Sequence, residues 1–232
     1  MIQLEKKLVV LLLVAMSQSL FGQKISNIDF DEIKLAIQDS SSLYFYPSLI
    51  ERFHWFDATL SSEDYKYIYY GNIYNDNYNP YGESDNEKKF NKIFKEGKYD
   101  EAIPYGEEVI KENPVNLEIL LKMLLCHHQL GNMETAQNYA NVYFPLLSVI
   151  YGSGDGKSIE TAYVVIKVPD EYVILHDLEL TMTTQTLIGS TDKLTINTKE
   201  QKQKKGKKKI KSLYFNVSKP FEYLQRLFNE SK

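Results

Sequence analysis

Histidine and cysteine, the residues that most often bind metals or act as nucleophiles, are scarce in this chain. There are four histidines, His54, His127, His128 and His176, and one cysteine, Cys126. Adjacent residues on a helix point about 100° apart, so His127 and His128 do not share a metal unless other ligands converge. The sequence has no H-x-x-x-H pair, no C-x-x-C pair and no G-x-S-x-G nucleophile motif. It therefore predicts no metal, no cofactor and no catalytic residue, although its many carboxylates leave a hydrolase open.

The segment that most resembles a phosphate-binding loop is GSGDGKS, residues 152–158. The Walker pattern needs a glycine five residues before Gly156, and position 151 is a tyrosine. The motif also requires a strand before the loop and a helix after it, whereas the patterns here have the opposite order. We interpret the segment as a glycine-rich connector, with a small ion site at Asp155 as the alternative.

Tyrosines are concentrated between residues 65 and 81, where seven of them occur. If this segment is helical, Tyr67, Tyr70 and Tyr74 share one face and other tyrosines lie on the opposite face. Tyrosine on both faces is typical of a helix between two layers whose hydroxyls bind polar partners. The alternative is an aromatic surface for a sugar or an extended peptide. The candidate ligand-binding residues of that surface are Tyr67, Tyr70, Tyr74 and Tyr78.

Lysines are concentrated between residues 199 and 211, where eight lysines and Glu200 give a local net charge of +7. The whole chain has a net charge of −4, which argues against a nucleic-acid-binding protein. β-rich runs flank the lysines, a pattern typical of a solvated hairpin tip. The alternative is contact with an anionic surface such as lipid headgroups or an acidic polysaccharide. The candidate contacts are Lys204, Lys205, Lys207, Lys208 and Lys209.

The N-terminus has the layout of a secretory signal peptide over residues 1–22. Lys6 and Lys7 precede the apolar run LVVLLLVAM, and a short polar segment ends at Gly22. We expect cleavage near Gly22 and a periplasmic or secreted protein. The run is too short to cross a bilayer, which takes roughly 20 residues, and no later stretch is long and apolar enough. Cys126 lies in an apolar run, where a cysteine usually behaves as a small buried hydrophobic residue.

The middle of the chain has a helical pattern that repeats. Pro80 and Pro114, Gly97 and Gly131, Ala102 and Ala136, and Tyr105 and Tyr139 are each separated by 34 residues. This spacing is the period of the tetratricopeptide repeat, a helix–turn–helix unit. Apolar periodicity predicts helices over residues 62–74, 87–96, 100–112, 117–130 and 133–143. We expect a left-handed glycine at the turn of each pair and an N-cap at Ser61.

After residue 151 the pattern changes to β-rich segments. Residues 162–168 and 172–178 are predicted to be strands joined by a hairpin at Pro169-Asp170-Glu171. Residues 184–198 form either one bent strand or a hairpin across 189–192, and residues 210–217 form another strand. A helix is predicted over 220–228. Helices followed by strands indicate an α+β fold with a small antiparallel sheet. The expected parts are a tyrosine-rich helical part (23–86), tetratricopeptide-like helices (87–150) and a β-rich part (151–232), together one compact domain.

Several segments resemble a known family. They are YPSLIERFHWFDATLSSEDYKYIYYG (46–71), NYNPYG (77–82), GDGKS (154–158), TAYVVIKVPDEYVIL (161–175) and LYFNV (213–217). Together they resemble the uncharacterised exported bacterial family called domain of unknown function 4919. The resemblance covers nearly the whole chain after residue 22. It implies export and an α+β fold, and it supplies no catalytic or binding residue.

These patterns favour a non-catalytic interaction module that acts outside the cytoplasm. The expected partner is a protein or a glycan of the envelope or the exterior, with an anionic surface as a further contact for the lysines. A carbohydrate-binding accessory protein is the alternative, and an enzyme of unknown class is the third hypothesis. Neither nucleic acid nor a membrane-spanning segment is expected.

Overall fold

The structure is a computed structural model, and it describes residues 28–201 and 208–230. The predicted signal peptide, residues 1–22, lies outside the described residues. The same holds for Lys204, Lys205 and Lys207 of the lysine segment.

Three helices open the described chain, and each begins at a recognisable capping feature. Helix α1 spans Phe30–Gln38 after the N-cap Asp29, and α2 spans Tyr46–His54 with a proline in its first turn. Helix α3 spans Ser62–Gly71 and continues as a 3₁₀ turn over Asn72–Tyr74. At its start, Ser61 and Asp64 form a reciprocal capping box, as the sequence predicts. Helix α3 packs against α1 and α2 as well as against the later helix α7.

Two helical hairpins follow. Helices α4 (Asp85–Lys95) and α5 (Tyr99–Glu112) form the first, and α6 (Leu117–Gln129) and α7 (Met133–Gly152) form the second. Gly97 and Gly131 lie at the two turns with φ of +74° and +77°, which confirms the predicted left-handed positions.

Helix α7 continues past the predicted end at residue 143, even though Pro145 lies inside it. Proline lacks the N–H that would bond to the carbonyl four residues earlier, which belongs to Asn141. The Tyr65 hydroxyl of α3 donates to that carbonyl at 3.1 Å, so the acceptor that proline leaves unpaired gains a partner. This contact also joins α3 to α7.

The C-terminal part contains a mixed sheet, which corrects the prediction of an antiparallel one. Its strands are β1 (Tyr163–Val164), β2 (Met182–Ile188), β3 (Thr191–Ile196) and β4 (Ser212–Asn216), in the spatial order β1-β4-β3-β2. Strand β1 runs parallel to β4, and the other pairs are antiparallel. The hairpin alternative for residues 184–198 is confirmed, with a two-residue turn at Gly189-Ser190. Gly189 has φ of +63° and Ser190 is not left-handed, which is the type II′ arrangement.

The predicted hairpin at Pro169-Asp170-Glu171 is wrong, because helix α8 begins there and spans Pro169–Asp177. Only Tyr163–Val164 of the first predicted strand pairs in the sheet. Proline is favourable at the first helical position, and acidic residues are favourable in the first turn because the N-terminal dipole is positive. Burial of the apolar residues after Glu171 against the helical hairpins outweighs their β propensity.

Helix α9 closes the chain over Ser218–Glu230, as predicted. Buried apolar residues form a cluster from Ile33 to Val217, to which each helix from α1 to α8 and the strands β1, β3 and β4 contribute, whereas β2 has no buried residue. Within the described residues, no helix has the combined length and apolar character that crossing a membrane requires. The architecture is an α+β fold, as the sequence predicts.

Candidate functional site

Three of the four tyrosines predicted to bind a ligand are buried. Tyr67, Tyr70 and Tyr78 donate their hydroxyls to acceptors inside the protein, at 3.0, 3.2 and 2.6 Å. The acceptors are Glu32 Oε1, the Val164 carbonyl and the Ile166 carbonyl. These hydroxyls join the tyrosine-rich segment to α1 and to the chain around β1. Their burial favours the structural interpretation of the tyrosines over the aromatic-surface alternative.

Tyr74 differs from the other three because it is partly exposed. Its hydroxyl donates to the Phe30 carbonyl at 2.8 Å. Its ring lines a shallow cleft of about 310 Å³ between α2 and the end of α5, together with Tyr46, Asp76 and Lys111. The structure therefore does not bring the four predicted tyrosines together at one surface.

Two of the five predicted lysine contacts, Lys208 and Lys209, lie in the described part of the chain, and both are exposed. Lys209 Nζ donates to the Thr198 carbonyl at 2.5 Å, across the segment that joins β3 to β4. The two predicted strands that flank the lysines are present as β3 and β4. Contact with an anionic partner stays a prediction.

The histidine and cysteine positions do not form a reactive centre in the described parts. Cys126 is buried, and burial raises the pKa of its thiol to about 11. His127 is buried against the Tyr139 ring, and burial lowers its pKa, so it is neutral. Among the described residues, no cluster of three or more histidine, cysteine or acidic side chains is arranged to hold a metal ion. In the glycine-rich loop, Asp155 forms an ion pair with Lys157 and accepts the Thr161 hydroxyl. These contacts within the loop favour the interpretation of the segment as a connector.

The first turn of α8 contains two buried carboxyl groups that the sequence analysis placed in a turn. Asp170 Oδ2 accepts the Tyr69 hydroxyl at 2.6 Å, and that hydroxyl in turn accepts the Ile166 N–H at 3.3 Å. Burial raises the pKa of Asp170 to about 6, partly offset by the Tyr69 hydrogen bond and by the charge of Lys167. Asp170 is therefore joined to α3 and to the chain after β1.

Glu171, the next residue, faces Asp192 of β3, and both side chains are buried. Gln185 of β2 joins them: its Nε2 donates to Asp192 Oδ2 at 2.8 Å and lies 3.4 Å from Glu171 Oε2. The Gln185 Oε1 accepts the Tyr172 hydroxyl at 3.1 Å. We call Glu171, Asp192, Gln185, Tyr172 and the nearby Tyr81 the carboxyl site.

The carboxyl site retains a proton at neutral pH. Burial, and then the adjacent Asp192 carboxylate, raise the pKa of Glu171 to about 9. No N–H or O–H group in the described parts of the chain donates to Glu171 Oε1, which is buried. Two carboxylates at hydrogen-bonding distance repel one another, so the pair holds one proton between them. Tyr81 and Tyr172, which are 44% and 45% exposed, place this buried pair next to solvent.

The carboxyl site lies under the edge of the sheet that β2 forms. Residues from Thr183 to Ile188 are all exposed, and Leu187 is 51% exposed. The two-residue turn makes Ile188 and Thr191 a hydrogen-bonded pair, and from there hydrogen-bonded and non-hydrogen-bonded pairs alternate along β2 and β3. In an antiparallel pair the residues that bond to the neighbour alternate, so the backbone N–H and C=O groups of Gln185 and Leu187 point away from β3. The other edge, β1, has only two residues, and Tyr163 is buried.

The helix start that positions Glu171 was predictable from the sequence. Proline followed by two acidic residues is a signal for a helix start, but the β-branched residues around it favour a strand. The contact between Glu171 and Asp192 was not predictable, since Asp192 is 21 positions later in the sequence and the folded sheet brings it next to Glu171.

A family model described as Domain of unknown function (DUF4919) matches residues 31–226. This range includes the buried tyrosines, α8, β2 and the carboxyl site. No curated protein and no solved structure has significant similarity to the chain.

Proposed function

The chain belongs to the DUF4919 family, and we propose that it is a non-catalytic interaction module that binds an extended polypeptide strand at the β2 edge of its sheet. The single observation that carries this proposal is the exposure of β2 from Thr183 to Ile188. Strand addition to an exposed sheet edge is a common mode of peptide recognition, in which main-chain hydrogen bonds supply affinity.

The composition of β2 supports this function. Its sequence, MTTQTLI, contains no charged residue and no proline. Proteins usually protect exposed edges with lysine, proline or very short strands, because an unprotected edge pairs with other chains. The β1 edge has such protection, whereas β2 is regular from Thr184 to Ile188 and is irregular only between Met182 and Thr184, which is the pattern expected if this part of β2 serves to bind.

The surface around β2 is suited to a protein partner. Tyr81, Tyr172 and Leu187 are each about half exposed and lie beside the edge. Tyrosine is enriched in protein interfaces because its ring supplies apolar area and its hydroxyl supplies a hydrogen bond. A strand added to β2 would cover part of these side chains and gain apolar contact beyond the ladder itself.

Export is part of the same proposal and rests on residues 1–22. Their basic, apolar and polar segments support a cleaved signal peptide, so the module would act in the periplasm or outside the cell. N-terminal sequencing of the protein purified from the envelope or the medium tests this, and an intact Met1 on the purified protein would refute it.

The strand-addition proposal is tested by amide hydrogen exchange, measured by NMR, on the full chain. The probe is the peptide acetyl-Thr-Val-Thr-Lys-Thr-Val-Thr-amide, which is extended, uncharged apart from its lysine, and similar to β2 in composition. We expect the amides of Gln185 and Leu187 to gain protection on titration, while those of Thr184 and Thr186, already bonded to β3, change little.

Two variants at one position provide the control. Leu187→Pro removes an outward N–H without removing a hydrogen bond of the β2–β3 ladder, and it should abolish binding. Leu187→Ala retains the N–H and should bind with a modest loss from the smaller side chain. Equal peptide binding by these two variants, or equal protection of all four amides, would overturn strand addition at this edge.

A further inference from the structure

A strand bound at β2 would place some of its side chains on the carboxyl site. Gln185 opposes Leu194, and Leu187 opposes Asp192, so these side chains lie on the same face of the sheet as the buried Leu194 and Asp192, which the first turn of α8 contacts. The residue of a bound strand opposite Gln185 projects from that same face, because directly paired residues share a face. Its neighbours in the bound strand project from the opposite face. One position of the partner therefore lies beside Gln185, Glu171 and Asp192.

We propose that the carboxyl site receives the cationic side chain of a lysine or arginine from the bound strand, opposite Gln185. The inference deepens the proposed function and rests on it, since the cation arrives on the added strand. The incoming ammonium or guanidinium takes the place of the Gln185 amide and donates to Glu171 and Asp192.

The hydrogen-bond inventory supports a cationic donor. Glu171 Oε1 is buried and lacks a donor, and no lysine or arginine in the described residues forms an ion pair with Glu171 or Asp192. The contact from Gln185 Nε2 to Glu171 is long, at 3.4 Å. Buried polar atoms in native proteins nearly always have partners. Apart from the proton that Glu171 and Asp192 share, Glu171 Oε1 has none among the described residues, so it is free to accept from a donor that a partner brings. A group with several N–H donors and a positive charge satisfies both carboxyls at once.

The reach of a long side chain fits the position. Neighbouring strands lie about 4.8 Å apart, so the bound strand lies about 10 Å from β3, and Asp192 and Glu171 extend into that space. Lysine and arginine carry their charge at the end of three or four methylenes, which can lie along Gln185 and the Tyr172 ring. A tyrosine face near a cation adds attraction. Shorter polar side chains would end beside Gln185 and leave Glu171 without a donor.

The charge balance makes the binding depend on pH. The titratable groups that face Glu171 are Asp170 and Tyr172 of α8, Asp192 of β3 and Tyr81 of the segment before α4. Glu171 holds its proton in the unbound protein, and a bound cation favours the carboxylate. Binding at pH 7 therefore releases a proton to solvent. The affinity for a cationic strand should rise with pH until the unbound Glu171 itself ionises.

The test compares two probe peptides on the full chain by isothermal calorimetry. One is the lysine peptide described above, and the other has norleucine, the uncharged counterpart, at the lysine position. We expect the lysine peptide to bind about tenfold more tightly, in line with a hydrogen-bonded charge. Glu171→Gln should lower this ratio, because glutamine keeps the shape and removes one of the two carboxylates that accept from the cation, while Asp192 remains. The matched control Glu108→Gln, on the exposed face of α5, should keep the tenfold ratio.

The outcomes separate the two proposals. If neither peptide protects Gln185 and Leu187, strand addition fails and this inference fails with it. If both peptides bind wild type equally, strand addition holds and the cation site is refuted. A lysine preference that is undiminished in Glu171→Gln also refutes it.

Two further measurements test the proton release and the preference for an organic cation over a metal ion. Calorimetry of wild type in two buffers of different ionisation enthalpy measures proton release directly, so the inference stays falsifiable if Glu171→Gln fails to fold. Absence of proton release with the lysine peptide overturns it. Calcium chloride alone distinguishes an inorganic cation: if calcium shifts the Gln185 resonances and the lysine peptide has no advantage, the site takes a metal ion and the inference is wrong.

Discussion

Replacing Glu171 with glutamine should stabilise this protein at neutral pH, although the residue is fully buried. The pKa of Glu171 is about 9 in the folded protein against an ordinary value of 4.5. A carboxyl whose pKa is raised on folding contributes its stability below pH 4.5, and that contribution is lost as the pH rises toward 9. At pH 7 the unfolded chain is ionised at this position while the folded chain keeps the proton. Folding must therefore take up a proton that glutamine does not require.

The size of the effect follows from the difference in pKa. Each unit is worth about 1.4 kcal/mol, so protonating Glu171 costs roughly 3 kcal/mol at pH 7 and roughly 2 kcal/mol at pH 6. Glutamine matches the shape of the protonated acid and offers an N–H donor to Asp192. We expect Glu171→Gln to raise the free energy of unfolding by on the order of 1–3 kcal/mol at pH 7. The gain should shrink toward zero near pH 5.

Urea unfolding of the full chain between pH 5 and pH 8, at constant ionic strength, measures this difference. Glu108→Gln is the matched control, since its side chain is exposed, and its effect should stay within about 0.5 kcal/mol at every pH. A Glu171→Gln variant that is less stable than wild type at pH 8 would refute the protonated state. A gain that is the same at pH 5 and pH 8 would show that the proton is not taken up on folding.

Two further pairs of substitutions test the hydrogen bond between Tyr69 and Asp170 and the turn of the second helical hairpin. Tyr69→Phe removes the side-chain donor of the buried Asp170 and the acceptor of the Ile166 N–H, and it should lower the free energy of unfolding by about 2–4 kcal/mol. Tyr74→Phe, at a partly exposed residue, should cost about 1 kcal/mol or less. Equal losses in urea unfolding would contradict the role assigned to Tyr69. Gly131→Ala should cost about 1 kcal/mol because of its φ of +77°, whereas Gly152→Ala at the end of α7, where an added Cβ meets no atom within 4 Å, should be neutral or slightly stabilising. Thermal unfolding measures both, and an unaffected Gly131→Ala variant would argue against the left-handed turn.

The helical half of the fold was predictable because its signals are local. Ser61 and Asp64 cap α3 as their spacing indicates, and Gly97 and Gly131 occupy left-handed turns. Each of these features depends on residues within a few positions of one another. The failure at α8 has the opposite cause: residues 172–175 have β propensity, and tertiary burial against the helical hairpins decides their conformation.

The candidate site was less predictable than the fold. The sequence draws attention to tyrosines 67, 70, 74 and 78, and the structure uses three of them as buried hydrogen-bond donors between layers. Exposure is a property of the assembled layers, so residue type alone does not determine it. Glu171 and Asp192 meet only after β3 has joined β4 and the first turn of α8 has reached the β2–β3 hairpin.

The position of Glu171 is the strongest link between stability and function in this molecule. A buried carboxyl that must take up a proton destabilises the fold by roughly 3 kcal/mol at pH 7, a large fraction of the stability of an ordinary domain. A glutamine at that position would remove the penalty with little change in shape. Folding alone therefore gives no reason for the carboxyl, whereas a cation delivered by a strand at β2 would need it. Because the uncharged edge and the carboxyl pair occupy one corner of the sheet, the proposed partner strand would account for both.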